Sequence, residues 1–408
     1  MIKFCAVLII ALPGFLFAQT ITGVSGFISG GSTITISGSS FGSKDTAAPI
    51  LWDTFEYGSD GDSLSSFDNW TAYATTGGYI STTSPYSGTR AAYNRHTAGG
   101  ASNPVSQGFN TSYFSFTETD TIYYTYMSRY VVTGDTYGIY KNGRSNSSPN
   151  HYNGPGEVTL SDNYAIYNNG AESITIGWVS GIESNEWRRH ELYKVNSTPG
   201  ASNGEVFIGV VGVDIESQDN AMTRASGYSF KNDNVILGLM YANAENDGDH
   251  RMWVDDVYVD RTQARVEIGN AATFANCTHR EIQIPSAWSA TEVEATLNLG
   301  TFTADSTAYL FVVDESGTAS NGYEITVGET ASALAISSAT ADGSTVSIGW
   351  NDTGATVYQL IVADQGDEIF HYAGADTAVE FPYAASDALD VRVRADGGAW
   401  VRTGISAQ

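Results

Sequence analysis

Ile34-Thr35-Ile36-Ser37-Gly38-Ser39-Ser40-Phe41-Gly42 alternates apolar and polar residues and then breaks at glycines, the pattern of a half-buried strand that leaves through a tight bend. Gly30-Gly31 stand just before it, where a turn into the strand needs residues that enter positive φ without penalty. A strand of this kind needs partners. The chain instead passes into Ala48-Pro49-Ile50-Leu51-Trp52-Asp53-Thr54-Phe55-Glu56, and comparable short strands resume only at Ala264-Arg265-Val266-Glu267-Ile268-Gly269-Asn270. The expected architecture is all-β, with one domain interrupted by another.

Composition agrees with strands and turns. The 408 residues include 43 Gly and 24 Tyr, with abundant Thr, Ser and Val and hardly any amphipathic helical period. At ~150 residues per domain this length makes two to three domains, and the pattern supports three. Residues 1–18 carry Lys3, an apolar run from Phe4 to Leu12, a Pro13-Gly14 break and Ala18, the layout of a cleavable secretory signal and too short for a membrane span. Its removal takes Cys5 away and leaves Cys277 as the single thiol, so no intrachain disulfide is expected. It also moves the formal charge from −26 to −27. A field of that sign, with five Lys in all, disfavours nucleic acid and anionic membranes, which are bound through Lys and Arg clusters.

Three resemblances organise the chain. Ile21-Thr22-Gly23-Val24-Ser25-Gly26-Phe27 with the stretch quoted above resembles the start of an IPT/TIG domain, an immunoglobulin-like module. Ala308-Tyr309-Leu310-Phe311-Val312-Val313 and Gly317-Thr318-Ala319-Ser320-Asn321-Gly322-Tyr323 resemble its closing hairpin. The resemblance implies a domain split between 19–52 and 262–328. Within it, 53–261 opens with Trp52-Asp53-Thr54-Phe55-Glu56 and ends with Met252-Trp253-Val254-Asp255-Asp256-Val257-Tyr258-Val259-Asp260. Both ends resemble jelly-roll β-sandwiches of the concanavalin-like lectin, glucanase and polysaccharide lyase type. Residues 329–408, with Thr345-Val346-Ser347-Ile348-Gly349-Trp350 and Leu389-Asp390-Val391-Arg392-Val393-Arg394-Ala395, resemble a fibronectin type III domain, which implies a spacer without chemistry.

Candidate chemistry lies in the insert. If Trp187 to Val195 is a strand, Arg188, His190, Leu192 and Lys194 share one face, and Trp187, Arg189, Glu191 and Tyr193 the other. Arg129 and Tyr130 lie in a second polar and aromatic concentration; Tyr140, Lys141, Arg144, His151 and Tyr152 form a third. Aromatic rings pack on sugar faces and cations pair with carboxylate or sulfate, so these residues are the expected contacts of an acidic extracellular polysaccharide. The jelly-roll resemblance implies a lyase as the alternative, with Arg188 or Arg129 neutralising a uronate carboxylate and His190, His151, Tyr140 or Tyr152 moving protons. Yet Arg189-His190-Glu191-Leu192-Tyr193-Lys194 matches the alginate lyase strand only loosely, and the paired-carboxylate strand of a glucanase is absent. Asp53, Glu56, Asp255 and Asp256 are expected to approach one another where first and last strands are neighbours, and such oxygens suit a structural Ca²⁺. A third reading is a structural or adhesive matrix protein, since tandem Ig-like modules with exposed sheet edges permit self-association.

Overall fold

The computed structural model describes residues 19–72, 78–97, 111–133, 143–146, 157–160, 164–168, 171–177, 185–238, 249–328, 330–331, 334–351, 357–383, 388–395 and 400–405. Among them the chain is all-β; the only helical turns are the 3₁₀ segments Leu64–Ser66 and Phe274–Asn276. No described helix is long and apolar enough to cross a membrane. The expected signal segment, Tyr140, Lys141, His151 and Tyr152 lie outside the described residues.

The strand Thr33–Ser39 pairs on one side with Thr20–Phe27 and on the other with Glu292–Thr296. Segments on either side of the insert thus complete one sheet. The strand Arg280–Trp288 joins the two halves of this host: Arg280 to Gln283 pair with Arg265–Gly269, whereas Ile284 to Trp288 pair with Glu292–Thr296, with a register shift between Pro285 and Ala287. The alternation of the opening strand buries Ile34 and Ile36 with Ile21, Val24, Phe41, Val266, Ile268, Leu310 and Val312. Gly38 is required for close approach, because a Cβ there would overlap the Thr20 carbonyl and the Phe41 ring.

The insert is a two-sheet sandwich. Its eight-stranded sheet runs in the order Asp214–Ala221, Gly204–Val210, Arg188–Val195, Thr121–Thr133, Asp249–Asp260, Ala91–Thr97 and Tyr79–Ser81, with Leu51–Asp53 added beside Asp249–Asp260. The facing seven-stranded sheet includes Thr111–Thr119, Asn232–Gly238 and Gly143–Asn146. Ile122, Tyr124, Tyr126, Leu192, Ile208, Met252 and Val254 from the first sheet meet Val235, Leu237, Phe114 and Phe116 from the second. A third sandwich follows, with its own core of Trp350, Tyr358, Leu360, Val362, Val391 and Val393.

The outer face of the eight-stranded sheet is partly covered by the host. Tyr123, Tyr193, Tyr258 and Ile282 pack across the seam. Beside them lies a buried ion network. Arg189 reaches Glu267 at 2.9 Å and Glu191 at 3.0 Å, Arg280 reaches Glu191 at 2.8 Å and Glu267 at 3.2 Å, and Arg265 meets Glu267 at 2.5 Å. Three guanidinium groups around it hold the Glu267 carboxyl down at about 2 despite its burial.

Candidate functional site

The strand Arg188–Val195 alternates as its sequence requires, but neither face is open to ligand. Arg189, Glu191 and Tyr193 meet the host, while His190, Leu192 and Lys194 point between the two sheets. This corrects the expectation that His190 and Lys194 line a ligand surface. His190 is 0% exposed, stacks on Tyr126 with centroids 5.1 Å apart, and shares a 2.8 Å hydrogen bond between Nε2 and Ser128 Oγ. Burial, helped by the Arg188 charge, lowers its pKa to about 3, so it is neutral. Lys194 is 1% exposed, and burial lowers its ammonium to about 7. Tyr130 is likewise a core residue. Arg188 sits at the strand's start, half-buried and 2.6 Å from Glu186. Arg144 belongs to Gly143–Asn146, paired in register with Ile236 and Thr159; its side chain lies outside the described residues.

The four carboxylates expected to hold calcium do not converge either. Asp53 accepts from Trp70 Nε1 at 2.7 Å, Tyr57 OH at 3.0 Å and the Phe55 amide at 2.8 Å. Glu56 accepts from the Thr89 and Arg90 amides at 2.6 and 2.8 Å and from Thr89 Oγ1 at 2.7 Å. Asp255 takes the Tyr86, Ser87 and Asp256 amides, and Asp256 takes Ser87 Oγ and Asn298 Nδ2. Protein donors occupy the oxygens a cation would need, and no group of three ligating side chains forms among the described residues. These acids do local structural work instead. Asp256 sits at positive φ where the ladder with Thr121–Thr133 shifts register, and its carboxylate ties that bulge to the Ser87 loop and the host.

Of the predicted binding residues, Arg129 is the one placed on an outward face with suitable neighbours. The register aligns Tyr79 with Tyr93, Tyr93 with Trp253 and Trp253 with Arg129, one residue from each of four adjacent strands. At ~4.8 Å per strand this makes a row about 15 Å long. Tyr93 and Trp253 have centroids 4.9 Å apart, and the Arg129 guanidinium lies 5.4 Å from the Trp253 ring while donating two bonds to Asn185 Oδ1 at 3.1 and 2.8 Å. In the next row on the same face Arg95 is exposed and pairs in register with half-buried Arg251. The Trp253 indole N–H is buried and meets no acceptor among the described residues. The Trp253 side chain as a whole is only 7% exposed, so it backs the Tyr93 ring and the Arg129 guanidinium from beneath. Sequence reading missed Tyr79, Tyr93 and Trp253. The signal was present in the alternation of Tyr93 with Arg95 and of Arg251 with Trp253 along two strands.

A cavity of about 340 Å³ opens where the chain enters and leaves the insert, lined by Lys44, Asp45, Tyr193, Asp260, Arg261 and Glu315. Its buried cation, Lys44, is committed to Asp260 at 2.7 Å, which makes this a structural seam.

No protein-family profile and no curated protein matches the sequence. Solved structures with a similar course of chain include the endo-β-1,4-glucuronan lyase of the fungus Trichoderma reesei, 15% identical, with a TM-score of 0.38 over 52% of this chain and 96% of that one. Alginate lyase Aly36B is 12% identical, with a TM-score of 0.37 over 53% and 97%. The marine alginate lyase of Aplysia kurodai is 12% identical, with a TM-score of 0.37 over 52% and 99%. These likenesses concern β-sandwich architecture.

Proposed function

We propose that the protein is a secreted polysaccharide-binding protein whose insert holds an acidic glycan along the row Tyr79, Tyr93, Trp253 and Arg129. The observation that carries this reading is the alignment of three aromatic rings and a guanidinium across four strands, flanked by Arg95 and Arg251, in a chain whose net charge is −26. The half-buried Tyr79 and Tyr93 rings offer apolar plates to sugar C–H faces, the buried Trp253 supports them, and arginine supplies the planar fork that carboxylate or sulfate accepts.

Of the residues expected to move protons in a β-elimination, His190 is removed because it has no route to a substrate. A general base must lie within hydrogen-bond reach of the proton it takes, and this imidazole is enclosed between the sheets. Pull-down on immobilised alginate, pectate, glucuronan and sulfated glycans, with ultraviolet absorbance followed in parallel, tests the reading. The expected outcome is retention on at least one acidic polymer with flat absorbance. Absorbance that climbs with time would replace it with a lyase, and retention on neither acidic nor sulfated polymers would remove it.

A further inference from the structure

The C-terminal sandwich concentrates its cations in one place. Between residues 329 and 408 the only basic side chains are His371, Arg392, Arg394 and Arg402, against eleven Asp and Glu. All four fall on one face of the sheet formed by Asp367–Gly374, Tyr358–Asp364, Leu389–Ala395 and Val401–Ile405. Register makes this explicit: His371 pairs with Ile361, Ile361 with Arg392 and Arg392 with Arg402, a single row across the whole sheet. Alternate residues Leu360, Val362, Val391 and Val393 fill the core, so the row faces outward. His371 is 51% exposed and Arg392 34%.

One end of this face is neutralised and the other is not. Asp390 pairs with Arg392, and Glu368 lies 3.4 Å from His371. Arg394 bonds the neutral Gln359 Oε1 at 2.5 Å and lies 4.5 Å from the centroid of the Trp400 ring; among the described residues neither it nor Arg402 has a carboxylate partner. The result is a ledge on which two guanidinium groups, neither paired with a carboxylate among the described residues, lie beside an aromatic plate.

We propose that this ledge is a second polysaccharide-binding surface, specific for anionic sugars, with Arg394 and Arg402 pairing carboxylate or sulfate and Trp400 supporting a ring face. Charge complementarity names the ligand class, and the indole supplies what a sugar has and a simple anion lacks. A single-stranded nucleic acid fits less well, because it is held by successive rings on which its bases stack, and this ledge offers one indole beside its guanidinium groups. The assignment stands apart from the insert row, and two sites on one chain would raise retention on a polymer through effective concentration.

The test uses the full chain carrying Arg129→Gln and Trp253→Phe, which weakens the insert row about tenfold, compared with the same chain bearing Arg392→Gln, Arg394→Gln and Arg402→Gln in addition. Affinity electrophoresis in dextran sulfate, polygalacturonate and neutral dextran, with single-stranded DNA as a competitor, reads the outcome. The expected result is retardation by the two anionic polymers alone, weakened by salt, and about tenfold weaker in the triple-glutamine chain at an unchanged melting temperature. Equal retardation of both chains, none of either, or DNA competing more strongly than the free glycans would overturn the proposal. None of these results touches the insert reading, which depends on chains with Arg129 and Trp253 intact.

Discussion

At the scale of single residues, the interior of the insert carries groups whose protonation is set by burial. Asp255 and Asp256 are neighbours in a buried bulge; burial and the Asp256 charge raise the first to about 9, and burial and the Glu281 charge raise the second to about 6. A carboxyl whose folded pKa exceeds its unfolded value binds its proton more tightly in the native state. Its contribution is complete below about pH 4 and is lost as pH rises through the folded value. Asp256→Asn should therefore gain stability relative to the parent as pH rises from about 4 to 6 and keep a constant advantage above that, measured by urea unfolding. His190 has the opposite sign. Its folded pKa is depressed, so its contribution is present above about pH 6.5 and is lost as pH falls toward 3. His190→Gln should flatten the loss of stability over that acid window, whatever its effect on stability at neutral pH. A parallel slope in parent and variant would mean that His190 is solvated and titrates normally.

At the scale of elements, the strand Arg188–Val195 shows what was legible in the sequence and what was not. Period-two alternation correctly separates Arg189, Glu191 and Tyr193 from His190, Leu192 and Lys194. It does not tell which layer covers each face. Three charged residues at alternate positions read as a solvated surface, yet one set is enclosed by the facing sheet and the other by the host. The partners of Arg189, namely Glu267 and the Arg280 carbonyl, lie far along the chain and in a different domain, so no local pattern announces them. The same limitation hid the row Tyr79, Tyr93, Trp253 and Arg129, whose members come from four strands whose order only the folded sheet reveals. Conversely, the turn chemistry around Thr33–Ser39 was readable because a glycine that excludes a Cβ is a local constraint. Breaking the buried network should be expensive: Glu267→Gln leaves three guanidinium groups underpaired and should cost ~3–5 kcal/mol in denaturant unfolding. Replacing Arg189, Glu191, Glu267 and Arg280 together by apolar residues of similar volume should cost much less, since the pairs repay their own desolvation poorly.

At the scale of the molecule, the host and the insert share a buried seam of charge, aromatic rings and the Lys44–Asp260 pair at the chain crossings. A shared desolvated interface couples unfolding, so calorimetry should record host and insert as one cooperative transition, and Glu267→Gln should split it. Two separate transitions in the parent chain would show that the seam contributes little. Such rigidity gives the eight-stranded sheet a fixed platform, with half-buried Arg129 and Tyr93 resting on the buried Trp253.

The most direct test of the central claim is calorimetric titration of the intact chain with a soluble acidic oligosaccharide drawn from whichever polymer retains it, beside the Arg129→Gln and Trp253→Phe variant. Saturable binding by the parent, about tenfold weaker in the variant and without release of unsaturated product, is the predicted result. Equal affinity in the two chains would contradict the placement of the glycan on this row.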